Sequence, residues 1–165
     1  MRILILSLCL TALCGGCSAL SGSKSPHAST SQEVMLYLDQ NRPKAALAAA
    51  DELVAQAPED YQSYLTRSAV HLVLRDYAQA QADNARALEV FTASAGRYPE
   101  KERGYRQAKI RESMALTALV ASRRAQDPAE RERLRKQFEA EAAQVKELDE
   151  DTWKNLRGLI GQQVD

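Results

Sequence analysis

One internal relationship constrains this 165-residue chain more than any other. The segment Asn41-Arg42-Pro43-Lys44-Ala45-Ala46-Leu47 aligns with Arg75-Asp76-Tyr77-Ala78-Gln79-Ala80-Gln81 at an offset of 34 residues. The same offset pairs Tyr37 with His71, Ala46 with Ala80, Ala50 with Asn84 and Leu53 with Ala87. A recurring period of this length is the mark of a stacked supersecondary unit that cannot bury its apolar face alone. The unit is helical: Ala dominates from Ala45 to Ala87, and Ala gives up no side-chain entropy in a helix. Small Ala46 and Ala80 let paired helices approach. Leu36, Leu38, Leu47, Leu53, Leu65, Leu72, Leu74 and Leu88 supply apolar faces at helical spacing.

The pattern resembles the tetratricopeptide repeat. Tyr64 stands at that motif's first large aromatic, Ser68 at its small residue, Tyr77 and Ala80 at the start of the second helix, and Ala87 and Pro58 toward unit ends. Departures occur at Arg67 and His71, usually apolar or aromatic, at Ala50 and Asn84, usually a large aromatic, and at the missing closing Pro of the second copy. The resemblance implies two repeats over residues 33–92 whose first helices line a groove for a peptide or helix. On this alignment the groove residues are Gln62, Leu65, Ala69, Leu72, Met35 and Leu38, an apolar set suited to helix-in-groove or extended-peptide recognition. The competing reading is that the long helix from Glu100 fills that groove internally.

Beyond Phe91 the pattern changes. A Gly96-Arg97-Tyr98-Pro99 turn leads into a helix from about Glu100 to Ala125, a break at Asp127-Pro128 and a further helix to about Leu148. Leu134, Phe138, Ala142, Val145 and Leu148 share one stripe. Ile110, Met114, Leu116, Leu119 and Val120 share a broader one, so the two helices are expected to form a hairpin. Asp151-Thr152 can cap a last helix in which Trp153, Leu156, Leu159 and Ile160 cover the open end of the stack, with Trp153 in the core. The expected fold is therefore all-α: two tetratricopeptide-like repeats, a helical hairpin and capping helix over 97–165, and no strand.

The first 32 residues read differently. Arg2 precedes an apolar run from Ile3 to Leu13, broken only by Ser7 and Thr11. That run is short of the roughly 20 apolar residues of a membrane-spanning helix and fits a signal-peptide core. Leu13-Cys14-Gly15-Gly16-Cys17 resembles the bacterial lipobox, although Cys14 stands where an aliphatic residue is usual. The resemblance implies a signal peptide over 1–16, diacylglycerol on Cys17, and a mature chain of 149 residues. Ser18 in place of Asp resembles lipoproteins sorted to the outer membrane, which implies its periplasmic face. Ordinary secretion with cleavage near Ser18 or Ala19 is the alternative. Residues 17–32 are Ser-, Gly- and Pro-containing and weakly hydrophobic, a tether whose fifteen or so residues span about 50 Å when extended.

All three cysteines, Cys9, Cys14 and Cys17, lie at or before the expected cut, leaving the mature chain no thiol for a disulfide, a metal or nucleophilic attack. Only His27 and His71 occur, and no Gly-rich phosphate loop, G-x-S-x-G or His-Glu-x-x-His is present. The reading is of a protein without catalytic residues, metal or cofactor. Charge is balanced at 22 basic and 22 acidic residues, which argues against nucleic acid. It is nonetheless segregated: residues 97–136 carry 12 Lys/Arg against 6 Asp/Glu, and 137–165 carry 3 against 7. Arg123, Arg124, Arg131 and Arg135, with Arg133 and Lys136, are a possible basic patch for an acidic partner or anionic lipid. The competing reading is a solubilising surface paired with Glu130, Glu132, Glu139 and Glu141.

The expectation is an outer-membrane-anchored periplasmic adaptor that assists assembly of an envelope complex such as a pilus or secretion system. The alternative is an adaptor or regulator of peptidoglycan hydrolases or synthases. An unfamiliar lipoprotein enzyme is the weakest reading, because no reactive constellation is visible.

Overall fold

The computed structural model describes residues 29–162. The expected signal peptide, Cys17, His27 and the tether up to residue 28 lie outside the described residues. Among the described residues seven α-helices and one short 3-10 turn follow in order: α1 Ser31–Asp39, α2 Pro43–Gln56, α3 Tyr61–Val73, α4 Tyr77–Ser94, the turn Ala95–Arg97, α5 Glu100–Arg124, α6 Pro128–Leu148 and α7 Glu150–Gln162. The fold is all-α, and no described residue lies in a strand. Among the described residues no helix is long and apolar enough to cross a membrane.

The helix starts follow from local chemistry. Thr30, Asp60, Asp76 and Asp127 each accept a hydrogen bond from a first-turn amide, satisfying donors with no partner inside the helix. Pro43 and Pro128 open α2 and α6, where a missing N–H costs nothing. Folded structure begins earlier than the expected end of the tether at residue 32. Ser29 is buried, its hydroxyl donates to Glu52 at 2.8 Å, and the Thr30 cap with Glu33 starts α1. Asp149 rather than Asp151-Thr152 caps α7, accepting from the Thr152 amide at 2.7 Å.

The 34-residue period is written in the backbone. Among the described residues, Asn41 and Arg75 are the two non-Gly residues with positive φ, at 54° and 64°. Each follows the end of a first helix, and each is followed by the same long-loop hydrogen bond: Arg42 N–H to the Tyr37 carbonyl at 2.8 Å, and Asp76 N–H to the His71 carbonyl at 2.9 Å. This left-handed closure satisfies carbonyls the ending helix leaves free. It turns α1 onto α2 and α3 onto α4 in the same way.

Three antiparallel pairs, α1–α2, α3–α4 and α5–α6, stack in sequence, with α7 against α5 and α6. The third pair carries no 34-residue likeness in sequence, yet α5 packs on α4 and touches α3 as α3 packs on α2 and touches α1. Apolar side chains collect in three clusters. Val34, Ala46, Ala49, Ala50 and Val70 form the first, and Tyr61, Tyr64, Ala87, Val90, Phe91 and Ile110 the second. Ala115, Ala142, Val145 and Leu156 form the third. Each cluster lies where one pair meets the next helix, so no pair buries its faces alone.

Two expectations about the cap change. Trp153 is only partly buried, packed beside the third cluster, and Leu156 is the fully buried apolar residue of α7. Leu159, expected on the apolar stripe, is 39% exposed. On α5 the buried positions are largely small, including Ala108, Ala115, Ala118 and Ala121, because this helix has neighbours on two sides. Met114, Leu116, Leu119 and Val120 are partly buried instead.

Candidate functional site

The first helices of the three pairs, α1, α3 and α5, share one face of the stack, and a cleft of about 390 Å³ opens there between α3 and α5. Gln62 and Leu65 of α3, both expected groove residues, line it, with Tyr61 and Thr66 beside them. Ser31 of α1 closes one end, 3.1 Å from the Thr66 hydroxyl. The opposite wall is Tyr105, Arg106 and Lys109 of α5. The long helix thus forms a wall of the groove and leaves it open, contrary to the reading in which it fills the space.

The other expected groove residues divide. Met35 is 49% exposed on α1, beside Leu36 at 52%, and with Ser31 lines a shallow continuation of the face. Leu38 turns inward and packs on the first apolar cluster, so it belongs to the core. Ala69 and Leu72 lie further along α3, partly buried and outside the cleft lining. Leu65 has two surroundings, since it also packs against the second cluster.

Tyr105, Arg106 and Lys109 were not foreseen. Exposed Tyr105, at 51%, is the signal: a large aromatic on the surface of a long helix that folding does not use. Arg106 is held in place from several directions. Its Nη1 donates to the Tyr61 hydroxyl at 3.1 Å, its Nη2 lies 2.9 Å from Glu102, and its guanidinium sits 4.4 Å from the Tyr98 ring centroid. The hydrogen bonds to Tyr61 and Glu102 raise its pKa further above the ordinary arginine value, so it remains a fixed cation. Tyr61, Phe91 and Tyr98 pack edge-on and stacked at 5.4–6.5 Å between centroids, which makes this wall rigid. Lys109 pairs with the buried carboxylate of Glu112. The cleft is therefore amphipathic, with apolar Leu65 and Tyr105 and two cations, rather than the apolar groove expected.

The residues that depart from the repeat motif form polar joints between helices. Arg67 of α3 binds Asp83 of α4 through two hydrogen bonds, at 2.9 and 2.7 Å, and reaches Asp51 of α2 at 3.1 Å. These bonds, led by Asp83, raise the Arg67 pKa. His71 Nε2 lies 3.8 Å from the same Asp83 carboxylate. Asn84 is fully buried and tied to α5 on both sides of its amide, donating to Thr117 at 3.0 Å and accepting from Ser113 at 2.8 Å.

The possible basic patch is mostly paired. Arg133 is bidentate to Glu130, Arg135 to Glu132, and Arg131 donates to the Ala125 carbonyl. Glu141, read as part of the solvated face, instead crosses to Arg111 of α5 at 2.8 Å. Arg124 lines a separate cleft near the α5–α6 turn. No group of three or more His, Cys, Asp or Glu among the described residues has a metal-holding arrangement.

Comparison with known proteins returned no matching family model, curated protein or solved structure.

Proposed function

We propose that this chain is a lipid-anchored adaptor of the bacterial envelope, held at the periplasmic face of the outer membrane through Cys17. Its tetratricopeptide-like stack binds a segment of another envelope protein and assists assembly of a complex such as a pilus or secretion system. The observation that carries the binding role is the open cleft between α3 and α5, flanked by exposed Tyr105 and Met35. Large apolar groups left half exposed along a built concavity are suited to contact with a partner. The fixed cation Arg106 and the rigid aromatics beneath it supply a preorganised wall, which lowers the ordering cost of binding.

The lipid anchor rests on the lipobox-like Leu13–Cys17 junction and is tested by itself: globomycin should block processing, and Cys17→Ser should abolish labelling by a clickable palmitate analogue. Normal processing of Cys17→Ser would refute it. The binding role is tested by in-cell crosslinking of the full chain against Tyr105→Ala with Met35→Ser. Both positions are about half exposed, so folding should be spared, which circular dichroism checks. Loss of one specific envelope protein from the crosslinked set is the expected result; an unchanged set would refute the site.

A further inference from the structure

A second cleft, of about 370 Å³, opens away from the α1–α3–α5 face, where the starts of α4 and α6 meet the end of α5. Its floor is apolar, built from Ala78, Ala121, Ala125 and buried Leu134, with Tyr77 at one side. Its charged groups are not equivalent. Arg133 and Glu130 satisfy each other through bonds of 2.7 and 2.6 Å. Asp127 and Asp76, the other nearby carboxylates, accept from the first-turn amides of α6 and α4. Arg131, outside the cleft lining, donates to the Ala125 carbonyl. Exposed Arg124 lines the cleft, and its side chain makes no ion pair or hydrogen bond among the described residues.

We propose that this cleft docks an acidic peptide segment of a partner protein, which inserts one large apolar side chain against Leu134 and sets a carboxylate on Arg124. The apolar floor matches the anchor, and the guanidinium without a carboxylate matches the charge, in the bidentate geometry arginine offers. A concavity of about 370 Å³ suits an inserted side chain better than a flat lipid headgroup layer, which would meet the arginines without filling the floor. The site shares no lining residue with the cleft between α3 and α5, so one chain can hold two segments at once.

The test is a titration of the isotope-labelled full chain with two capped probe peptides, one bearing a single Phe flanked by Asp and Glu, the other with Lys at the flanking positions. The acidic peptide is expected to move the amide signals of Ala78, Ala121 and Ala125 saturably, and the Lys peptide to leave them. Arg124→Glu should weaken binding at least about tenfold, the scale of one charge-assisted hydrogen bond. Ala78→Trp, placed at an exposed helix start to occupy the cleft, should weaken it similarly, while Tyr105→Ala should not. Four results would overturn the proposal: no response to the acidic peptide, an equal response to both peptides, signals moving only around Tyr105, or signals moving with phosphatidylglycerol vesicles but not with peptide.

Discussion

The guanidinium of Arg67 holds the carboxylate of Asp83 through two hydrogen bonds, joining α3 to α4, and the same guanidinium reaches Asp51 on α2. Asp83 is 5% exposed and the Arg67 side chain 24%, so the guanidinium left without this partner is only partly rehydrated. Asp83→Ala should therefore cost about 2–4 kcal/mol, somewhat below the usual range for breaking a buried pair because Arg67 keeps part of its side chain in solvent. Arg67→Met combined with Asp83→Leu should recover much of that loss. Urea denaturation of the single and double variants checks both statements. Equal losses in the two would mean that the pair is not the joint.

Arg75 adopts the left-handed conformation that Asn41 adopts one repeat earlier, without the short polar side chain that tolerates it. Arg75→Gly should raise stability by about 0.5–1 kcal/mol, the left-handed penalty removed less the entropy glycine loses on folding. Asn41→Gly should change it by no more than a few tenths, on the order seen at such positions. Thermal unfolding of the two variants side by side is the measurement.

Two glycines inside helices should respond differently to the same change. A Cβ at Gly158 meets nothing within 4 Å, so Gly158→Ala should stabilise α7 by about 0.5–1 kcal/mol through helix propensity alone. A Cβ at Gly104 would lie 3.1 Å from the Leu148 carbonyl oxygen, a backbone atom at the end of α6. Gly104→Ala should therefore forfeit that gain or lose stability as α5 and α6 are pushed apart. Chemical denaturation compares the two directly, and equal gains would contradict the close approach.

Most helices, and several of their starts and ends, were readable because Pro43, Pro128 and the capping aspartates act locally. The repeat was readable because Asn41 and Arg75 must solve the same turn. The cleft was half readable. Gln62 and Leu65 follow from the position of α3 in its pair, whereas Tyr105, Arg106 and Lys109 lie on a helix whose sequence has no counterpart in the first two pairs. Leu38 was misplaced because one face of short α1 supplies both exposed Met35 and inward Leu38, and spacing alone does not separate them. Pairings across distant residues, such as Arg111 with Glu141, leave no local mark.

On α6, hydrogen bonds from Arg133 and Arg135 hold the carboxyls of Glu130 and Glu132 below the ordinary glutamate value of 4.5. A depressed folded-state pKa means that the pairs contribute stability above the unfolded glutamate range and lose it as pH falls through the lower folded values. Carboxyl carbon chemical shifts should show both residues titrating on the acid side of a free glutamate. Both pairs are solvent exposed, so the accompanying loss of stability should be small and should shrink further at high salt.

The most direct measurement of the binding role is site-specific photocrosslinking in living cells, with a photoreactive amino acid at Tyr105 on the cleft wall or at exposed Glu89 on α4. An adduct to one envelope protein from position 105, absent from position 89 and lost when Met35→Ser is added, is the predicted result. Stronger crosslinking from position 89, or none from position 105 in a folded chain, would contradict the account.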